Sequence, residues 1–526
     1  MASASISTNI SGSTNARTST IVLVGGCAPK NPGELGYTLS FFSIHLFKNA
    51  VHSYCIYEAH FDKNRFVPRS QTASFVATLP LKTSSSDERE LEARFNAAQN
   101  LYNACLSESK KRLELVRNSD AYQEAKKTSK KDKKLRSERF KVARNAYRYC
   151  EYDLHSFATA TAKASKWISK KLDAHAIQTV ATRAFKASER MLVGNAKPVR
   201  FKSKGRYRSI EGKVNTQGIR LKDECLVWGK LKIDVLIDKY DPVIRHALKS
   251  PIKFCRIIKK TIKGRQRWYI QLVCEGLPYV KQKNQLGEGV VGVDLNVSAA
   301  GVVSDSQAFL EQFCVELDLK EREIRRLQRR KARQLRANNP QNHEPDFKAR
   351  KGNKTVTKKG KVKKGSKQWN RSKRYLKTRH KKAEIQRRQQ EHRKSLHGKL
   401  VNKVVRQGNH FKMEKVSVKA CQKNWGKQMG YKAPGEFQSR LVRKAESAGG
   451  QVDKFSCQKT KLSQTCVCGH VEKKSLSQRI HECECGAVLK REVLSAFLAR
   501  SVTDDHLIMS SVLSDWGRLE TALRQA

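Results

Sequence analysis

Long hydrophobic runs are missing from this sequence of 526 residues. No stretch approaches the ~20 consecutive apolar residues that a membrane-spanning helix needs. The basic segments also lack the apolar face of a helix that lies on a membrane surface. The apolar run at 21–24 is far shorter than the core of a signal peptide. We therefore expect no membrane partner and a cytoplasmic protein, in which residues 1–70 form a leader of uncertain structure.

Acidic residues are scarce as well. Lys and Arg number 107 against 48 Asp and Glu, which gives a formal net charge of +59. Solubility alone does not call for so large an imbalance, so the partner is expected to be a polyanion. Because a membrane-binding pattern is missing, nucleic acid is favoured over an anionic membrane.

Several familiar chemical patterns are also missing. The 14 cysteines are scattered singly except for the last four, which argues against a disulfide framework and for a reducing compartment. The 14 histidines form no metal-spaced motif. We find no Gly-rich phosphate-binding loop and no Ser-His-Asp ordering.

The N-terminal part of the chain is predicted to form a strand followed by helices. The run TASFVATLPL at 72–81 predicts a strand, and Ser85-Ser86-Asp87-Glu88 predicts a capping box before a long amphipathic helix. Helical character continues to about residue 192, with a basic break at 126–136.

The segment at 199–278 is β-rich. IKFCRIIKKTI and RWYIQLVCEG flank Lys263-Gly264-Arg265-Gln266 as the strands of a hairpin would. Two basic strands suit a sheet that faces nucleic acid. The alternative is an ordinary hairpin whose lysines face water.

Residues 320–400 carry much of the positive charge, with 31 Lys and Arg against six Asp and Glu. The ends of this segment are compatible with helices, and the middle, at 351–367, is predicted to be flexible. A basic helical hairpin with a mobile tip would bind a phosphate backbone. The alternative is a disordered, solubilising insert.

Three carboxylates lie in apolar or β-like settings, where burial of an unpaired acid is costly. They are Asp294 in VVGVDLN at 290–296, Glu414 in FKMEKV at 411–416 and Glu492 in REVLSAF at 491–497. Singly, each acid is more often a turn or cap residue. In the order strand, helix, strand and helix they can converge on two divalent cations, ~3.5–4 Å apart, that clamp an in-line phosphodiester displacement. Oxygen ligands of this kind suit Mg²⁺.

The last four cysteines form a tighter pattern. Cys466 and Cys468 precede Cys483 and Cys485 by fourteen intervening residues, and two such pairs predict a tetrahedral zinc site. A closed four-cysteine shell has no open position for catalysis, so the zinc would be structural.

Together these segments resemble the TnpB-like, or OrfB-type, insertion-sequence transposon proteins, which are relatives of the type V CRISPR effector nucleases. The matching segments are FNAAQNLYNACL at 95–106, GVVGVDLN at 289–296, FKMEKVS at 411–417, LVRKAESAGG at 441–450, TKLSQTCVCG at 460–469 and HECECGAVLKREVLSAFLAR at 481–500. The resemblance is clearest from about residue 74 to residue 500.

The resemblance implies a multidomain α/β protein with a β-barrel wedge domain, a helical recognition lobe and a RuvC-like domain of the RNase H fold. The implied domains are the wedge at 71–84 and 196–285, the lobe at 85–195, the RuvC-like nuclease at 286–456 with its basic insert at 320–400, a zinc ribbon at 457–487, and a last RuvC segment and tail at 488–526. Asp294, Glu414 and Glu492 would be the catalytic, magnesium-binding residues. The partners would be a transposon-encoded guide RNA and double-stranded target DNA, in the cytoplasm of a prokaryote and on its nucleoid when bound.

One residue departs from the family pattern. The third acidic motif usually contains Asp, whereas this chain has Glu492. The extra methylene moves the carboxylate by over an ångström, and a misplacement on that scale can cost ~100-fold in rate. Asp504 and Asp505 are expected to lie about three turns further along the same helix if it continues.

We therefore expect an RNA-guided DNA endonuclease that depends on Mg²⁺ and contains structural zinc. Three alternatives remain: a nuclease-deficient RNA-guided DNA-binding protein, a transposase that itself cuts and joins ends, and a basic RNA-packaging protein stabilised by zinc.

Overall fold

The computed structural model describes residues 72–526 apart from 194–197, 366 and 476, so the predicted leader at 1–70 lies outside the described residues. The first strand, β1 (Ser74–Pro80), confirms the strand predicted at 72–81. Its alternate residues Phe75, Ala77 and Leu79 are buried, as the two-residue period of a strand on a core requires.

Six helices follow β1, and Ser84 caps the first of them. The Ser84 hydroxyl accepts a hydrogen bond from the Asp87 N–H (3.1 Å), and the Asp87 carboxylate accepts one from the Ser84 N–H (2.9 Å). The predicted capping box at 85–88 is therefore wrong by one residue, because the cap is Ser84 and Asp87 rather than Glu88 reaches back to it. The helices are α1 (Ser85–Asn118), α2 (Asp120–Lys127), α3 (Lys133–Ala146), α4 (Glu151–Ala164), α5 (Lys166–Lys171) and α6 (Ala174–Val193). The predicted basic break falls between α2 and α3.

The β-rich segment forms two small sheets that share a core with these helices. One sheet has the order β1-β7-β6-β2 and the other β3-β4-β5, and a bridge between Leu81 and Val235 connects them. The elements are β2 (Ser209–Glu211), β3 (Arg220–Lys222), β4 (Cys225–Trp228), β5 (Leu231–Asp234), α7 (Pro242–Lys249), β6 (Ile252–Ile262) and β7 (Arg265–Glu275).

The predicted hairpin is β6 and β7. Its two turn residues, Lys263 and Gly264, have φ values of 50° and 81°, which matches the type I′ turn that two-residue hairpin loops favour. Two of its lysines neither face water nor offer a surface to nucleic acid. Lys259 is buried and donates to Glu92 (2.6 Å), and the buried Lys253 donates to the Thr72 carbonyl (2.8 Å).

A five-stranded mixed sheet organises the C-terminal half, in the order β10-β9-β8-β13-β14. The strands are β8 (Val290–Leu295), β9 (Ala299–Val303), β10 (Ala308–Gln312), β13 (His410–Glu414) and β14 (Gln451–Phe455). The first three are antiparallel, and β13 runs parallel to both β8 and β14. The strands predicted around Asp294, at 299–303 and around Glu414 are thereby confirmed.

Helices cover both faces of this sheet. On one face, Val291, Val293 and Phe411 pack against α9 (Lys373–Val405) and α11 (Pro434–Ser447). On the other face lie α13 (Arg491–Arg500) and α14 (Met509–Gln525). Glu492 is in the first turn of α13, as predicted. Because side chains alternate along a strand, Asp294 and Glu414 point to the α13 side.

The basic insert is more ordered than we predicted. Between α8 (Glu321–Ala337) and α9, the strands β11 (Phe347–Lys351) and β12 (Lys354–Lys358) pair as an antiparallel hairpin. Asp346 accepts hydrogen bonds from Arg336 (2.6 Å), Lys359 (2.7 Å) and the Gly360 N–H (3.1 Å) at its base. The prediction of a flexible middle is therefore wrong for residues 354–358, because composition alone did not show this anchoring.

The remaining elements are short, apart from α10. They are α10 (Val418–Lys432), α12 (Cys457–Thr460), β15 (Ile480–Glu482), β16 (Val488–Lys490), β17 (Val502–Thr503) and β18 (His506–Leu507). Asp504 and Asp505 have positive φ in the turn between β17 and β18, so the expectation that they continue α13 is wrong. None of the helices in the described residues combines the length and apolarity that crossing a membrane requires.

Candidate active site and zinc cluster

The three predicted acids come from three different elements that meet between the sheet and α13. Val293 and Met413, the residues just before Asp294 and Glu414, are paired in the parallel register of β8 and β13. The two acids therefore lie side by side at the carboxyl ends of neighbouring strands. Glu492 reaches them from the first turn of α13.

Two glycines allow α13 to lie this close to the sheet. A Cβ on Gly292 would overlap the carbonyl of Ala496, and a Cβ on Gly301 would overlap the carbonyl of Glu492. Gly301 is paired with Asp294 across β8 and β9. The missing side chain on β9 thus lets the backbone of Glu492 approach the strand that carries Asp294.

Substitution of Gly301 by Ala is expected to push the start of α13 away from the sheet. We expect a loss of about 1–3 kcal/mol in the free energy of unfolding, as for other overpacked cores, together with a large loss of any DNA cleavage. Chemical denaturation and a cleavage assay measure the two effects. Gly398→Ala in α9 is the control, since nothing lies within 4 Å of its added Cβ and a helical Gly→Ala change is mildly stabilising. Equal behaviour of the two variants would contradict this role for Gly301.

Burial, with repulsion between the acids, changes the protonation of Asp294. Burial, followed by the charges of Glu414 and Glu492, raises the pKa of Asp294 to about 8. Burial also raises the pKa of Glu414. Carboxylate oxygens are the donors that Mg²⁺ prefers, so these acids are a candidate cation site.

This raised pKa predicts a pH-dependent stability in EDTA. The folded protein holds the Asp294 proton to about pH 8, while the unfolded chain releases it near pH 4. The contribution of Asp294 to the free energy of unfolding is therefore fully present below about pH 4. It falls by about 1.4 kcal/mol per pH unit up to about pH 8. Asp294→Asn should flatten this slope in thermal unfolding, whereas Asp504→Asn should not. A slope unchanged by Asp294→Asn would argue against the raised pKa of Asp294.

Glu492 has two partners that the sequence did not reveal. Its Oε1 accepts hydrogen bonds from Asn296 Nδ2 (2.8 Å) and Arg479 Nη1 (2.9 Å). The Glu492 side chain is 6% exposed, while that of Arg479 is 59% exposed. Arg479 lies between the two cysteine pairs, so only the folded chain brings it to the acids.

Lys412 holds the far end of α13. Its Nζ donates to the carbonyls of Arg500 (2.9 Å) and Val502 (2.8 Å), and a cation is favourable at the C-terminal end of a helix. Burial lowers the pKa of Lys412. The strand that carries Glu414 thus also fixes the helix that carries Glu492.

The four cysteines converge as predicted. The Sγ atoms of Cys466 and Cys485 are 3.5 Å apart, and those of Cys468 and Cys483 are 3.7 Å apart. A tetrahedral zinc with Zn–S bonds of about 2.3 Å requires sulfur–sulfur edges of about 3.8 Å. The cluster can therefore hold a zinc ion. Within the described part of the chain, it is the one group of three or more His, Cys, Asp or Glu side chains whose ligand atoms all lie within 4.8 Å of one another.

A glycine closes the turn after each cysteine pair. The Gly469 N–H donates to the Cys466 carbonyl (3.0 Å), and the Gly486 N–H donates to the Cys483 carbonyl (2.9 Å). Both glycines have positive φ, 88° and 83°, which a side chain would disfavour. These turns let the two tightly spaced cysteine pairs converge on one another.

Comparison with known proteins gives one family match. Residues 435–498 match the model of the Cas12f1-like TNB domain; the segment contains the four cysteines, Arg479 and Glu492. Through this segment the chain is similar to the type V effectors, in agreement with the resemblance stated above. No curated protein matches the chain.

Two solved structures are similar at low identity. A Cas12f1 complex with sgRNA and target DNA is 11% identical, with a TM-score of 0.37, over 81% of this chain and 98% of that one. A CRISPR-Cas12f ternary complex is 12% identical, with a TM-score of 0.25, over 79% and 82%. Similarities with TM-scores below 0.5 do not support an argument about fold or function.

Proposed function

We propose that the protein is an RNA-guided DNA endonuclease of transposon origin, with Asp294, Glu414 and Glu492 as the Mg²⁺ ligands of a RuvC-like site. One observation carries the proposal: three acids from separate elements converge, and burial together with the charges of two of them raises the pKa of the third. An acid cluster in a chain of net charge +59 has no evident structural use, whereas metal-dependent phosphodiester cleavage uses such a cluster to hold the cations.

The side chains would have different roles in such a site. Asp294 and Glu414 are fixed by strands, and Asn296 orients the carboxylate of Glu492. Bound divalent cations would supply charge neutralisation for the attacking and leaving oxygens of an in-line displacement. Gly292 and Gly301 let α13, which carries the third carboxylate, lie close to the sheet.

The other parts of the chain would hold nucleic acid. We propose that the β-rich segments at 71–84 and 196–285 are the wedge domain and that the helices at 85–195 are the recognition lobe. The mixed sheet would belong to the RuvC-like domain at 286–456, completed by residues 488–526 after the zinc ribbon at 457–487. Positive charge would bind guide RNA and target DNA by backbone and shape, so base pairing would select the sequence. The protein would act in a prokaryotic cytoplasm, on the nucleoid.

One observation favours a second candidate, a nuclease-deficient RNA-guided DNA-binding protein. The Arg479 guanidinium already neutralises one oxygen of Glu492, and Glu stands where related proteins usually have Asp. A carboxylate that is both longer and ion-paired is a weaker ligand for a metal, while the surfaces that bind nucleic acid would be unaffected.

Glu492→Asp distinguishes the two candidates. The protein, co-expressed with its native flanking DNA, is incubated with a plasmid in Mg²⁺ and in EDTA. The endonuclease predicts that wild type cuts only in Mg²⁺ and that Glu492→Asp changes the rate by up to about 100-fold. A silent wild type beside an active Glu492→Asp would identify the DNA-binding protein. If both are silent with intact RNA and DNA binding, the nuclease proposal is wrong.

A further inference from the structure

A cavity of about 700 Å³ opens beside the acids. Asn296 and Arg479, both hydrogen-bonded to Glu492, line its side nearest to the carboxylates. The opposite wall comes from α10 and the start of α11. The cavity is thus continuous with the residues that contact the acidic site, yet the hydrolysis proposed above does not use it.

Trp425 is the largest side chain in this cavity. It remains 38% exposed, and its backbone (φ −119°, ψ 31°) leaves the helical range within α10, so the helix bends at this residue. Leu295, Val416 and Met429 also line the cavity. A partly exposed indole with apolar neighbours offers a flat surface on which another ring can stack.

The border of the cavity nearest to the acids is positively charged. Arg479 and Arg491 both line it, and the side chain of Arg479 is mostly exposed. Arg491 is fixed by a hydrogen bond from its Nη1 to the Ser475 carbonyl (2.9 Å). An apolar, aromatic wall beside cations is complementary to a ligand that is flat and apolar at one end and anionic at the other.

We infer that this cavity binds an unstacked nucleobase of a single DNA strand, with the base against Trp425 and its phosphate toward the arginines. The inference rests on the proposed function, because it places that base next to the phosphodiester at the acids. A base inside a duplex is already stacked and paired, whereas single-stranded nucleic acid stacks on aromatic side chains without sequence preference. Trp425 would therefore favour single-stranded over double-stranded DNA, and it would fix which phosphodiester of the strand lies at the acids.

Binding of short labelled single strands in EDTA tests the inference without requiring cleavage. Two probes are compared by fluorescence anisotropy, an oligothymidine and a strand of the same length with abasic sites, because the many basic patches bind both backbones alike. Trp425→Ala should weaken binding of the oligothymidine about 5- to 100-fold and leave the abasic strand unchanged. Trp425→Phe should retain most of the wild-type affinity.

Leu513→Ala is the control, since this apolar side chain on α14 is 60% exposed and does not line the cavity. It should change neither affinity. Equal weakening of both probes by Trp425→Ala, or no weakening of either, would overturn the inference. A wild-type protein that binds the two probes equally would also overturn the inference. That outcome would indicate that the cavity binds a peptide or a small molecule instead.

The outcomes separate this inference from the proposed function. Trp425-dependent binding by a protein that never cuts DNA in Mg²⁺ would support the base site and contradict the endonuclease. Cleavage by wild type beside unchanged binding in Trp425→Ala would overturn the base site alone.

Discussion

Asp294→Ala should reduce DNA cleavage by more than about 100-fold. Displacing a catalytic group by about an ångström can cost that much, and this substitution removes the carboxylate altogether. Asp294 is the acid whose pKa is raised to about 8 by burial and by its two neighbours. Its ionised form is therefore the one that most needs a bound cation. Plasmid linearisation over time in Mg²⁺ measures the effect.

Binding of RNA and DNA should survive the same change, because the acids contribute no positive charge. Filter binding in EDTA checks this, and the thermal midpoint should not fall, since the variant removes a repulsion. Asp504→Asn is the control, as this exposed acid lies in the turn after β17 and Asn tolerates its positive φ. Full cleavage by Asp294→Ala would show that the acids are not the catalytic centre.

Cys466→Ser should destabilise the whole C-terminal part of the chain. Cys466 is completely buried and packs in one core with Leu489, Val493 and Leu494, so the predicted zinc site and α13 share their support. Structural zinc contributes about 10–16 kcal/mol in small zinc domains. Loss of one thiolate is expected to lower the melting temperature by about 10 °C or more and to abolish cleavage, because α13 carries Glu492.

Cys457→Ser is the matched control for this prediction. Cys457 is exposed and lies outside the cluster, so its substitution should leave the zinc content and the melting temperature unchanged. Zinc content is measured by metal analysis of the purified variants. A Cys466→Ser protein with normal zinc and normal melting would contradict the four-cysteine site.

Short patterns made the acids and the cysteines predictable. Asp294 and Glu414 end runs of alternating or apolar residues that only a strand accommodates, and Glu492 opens an apolar helix directly after the cysteines. Each of these signals lies within a few residues of the side chain concerned. Local periodicity therefore located the acids correctly on their elements before any contact was known.

Contacts between distant segments were not predictable in this way. Arg479 meets Glu492 because the cysteine cluster folds its loop back over α13, and Gly301 matters because of a helix that comes 190 residues later. The charge of the insert likewise suggested flexibility, whereas Asp346 anchors a hairpin there. Such features depend on which surfaces meet, and a single sequence does not show that.

The most direct test of the account is to change the RNA. The complex is assembled with the native RNA or with one whose guide segment is replaced, and the cut positions on a plasmid library in Mg²⁺ are mapped by sequencing. We predict that the cuts move to the sequence complementary to the new guide and disappear after RNase treatment. Cuts that ignore the guide, or joined ends formed without RNA, would contradict an RNA-guided endonuclease.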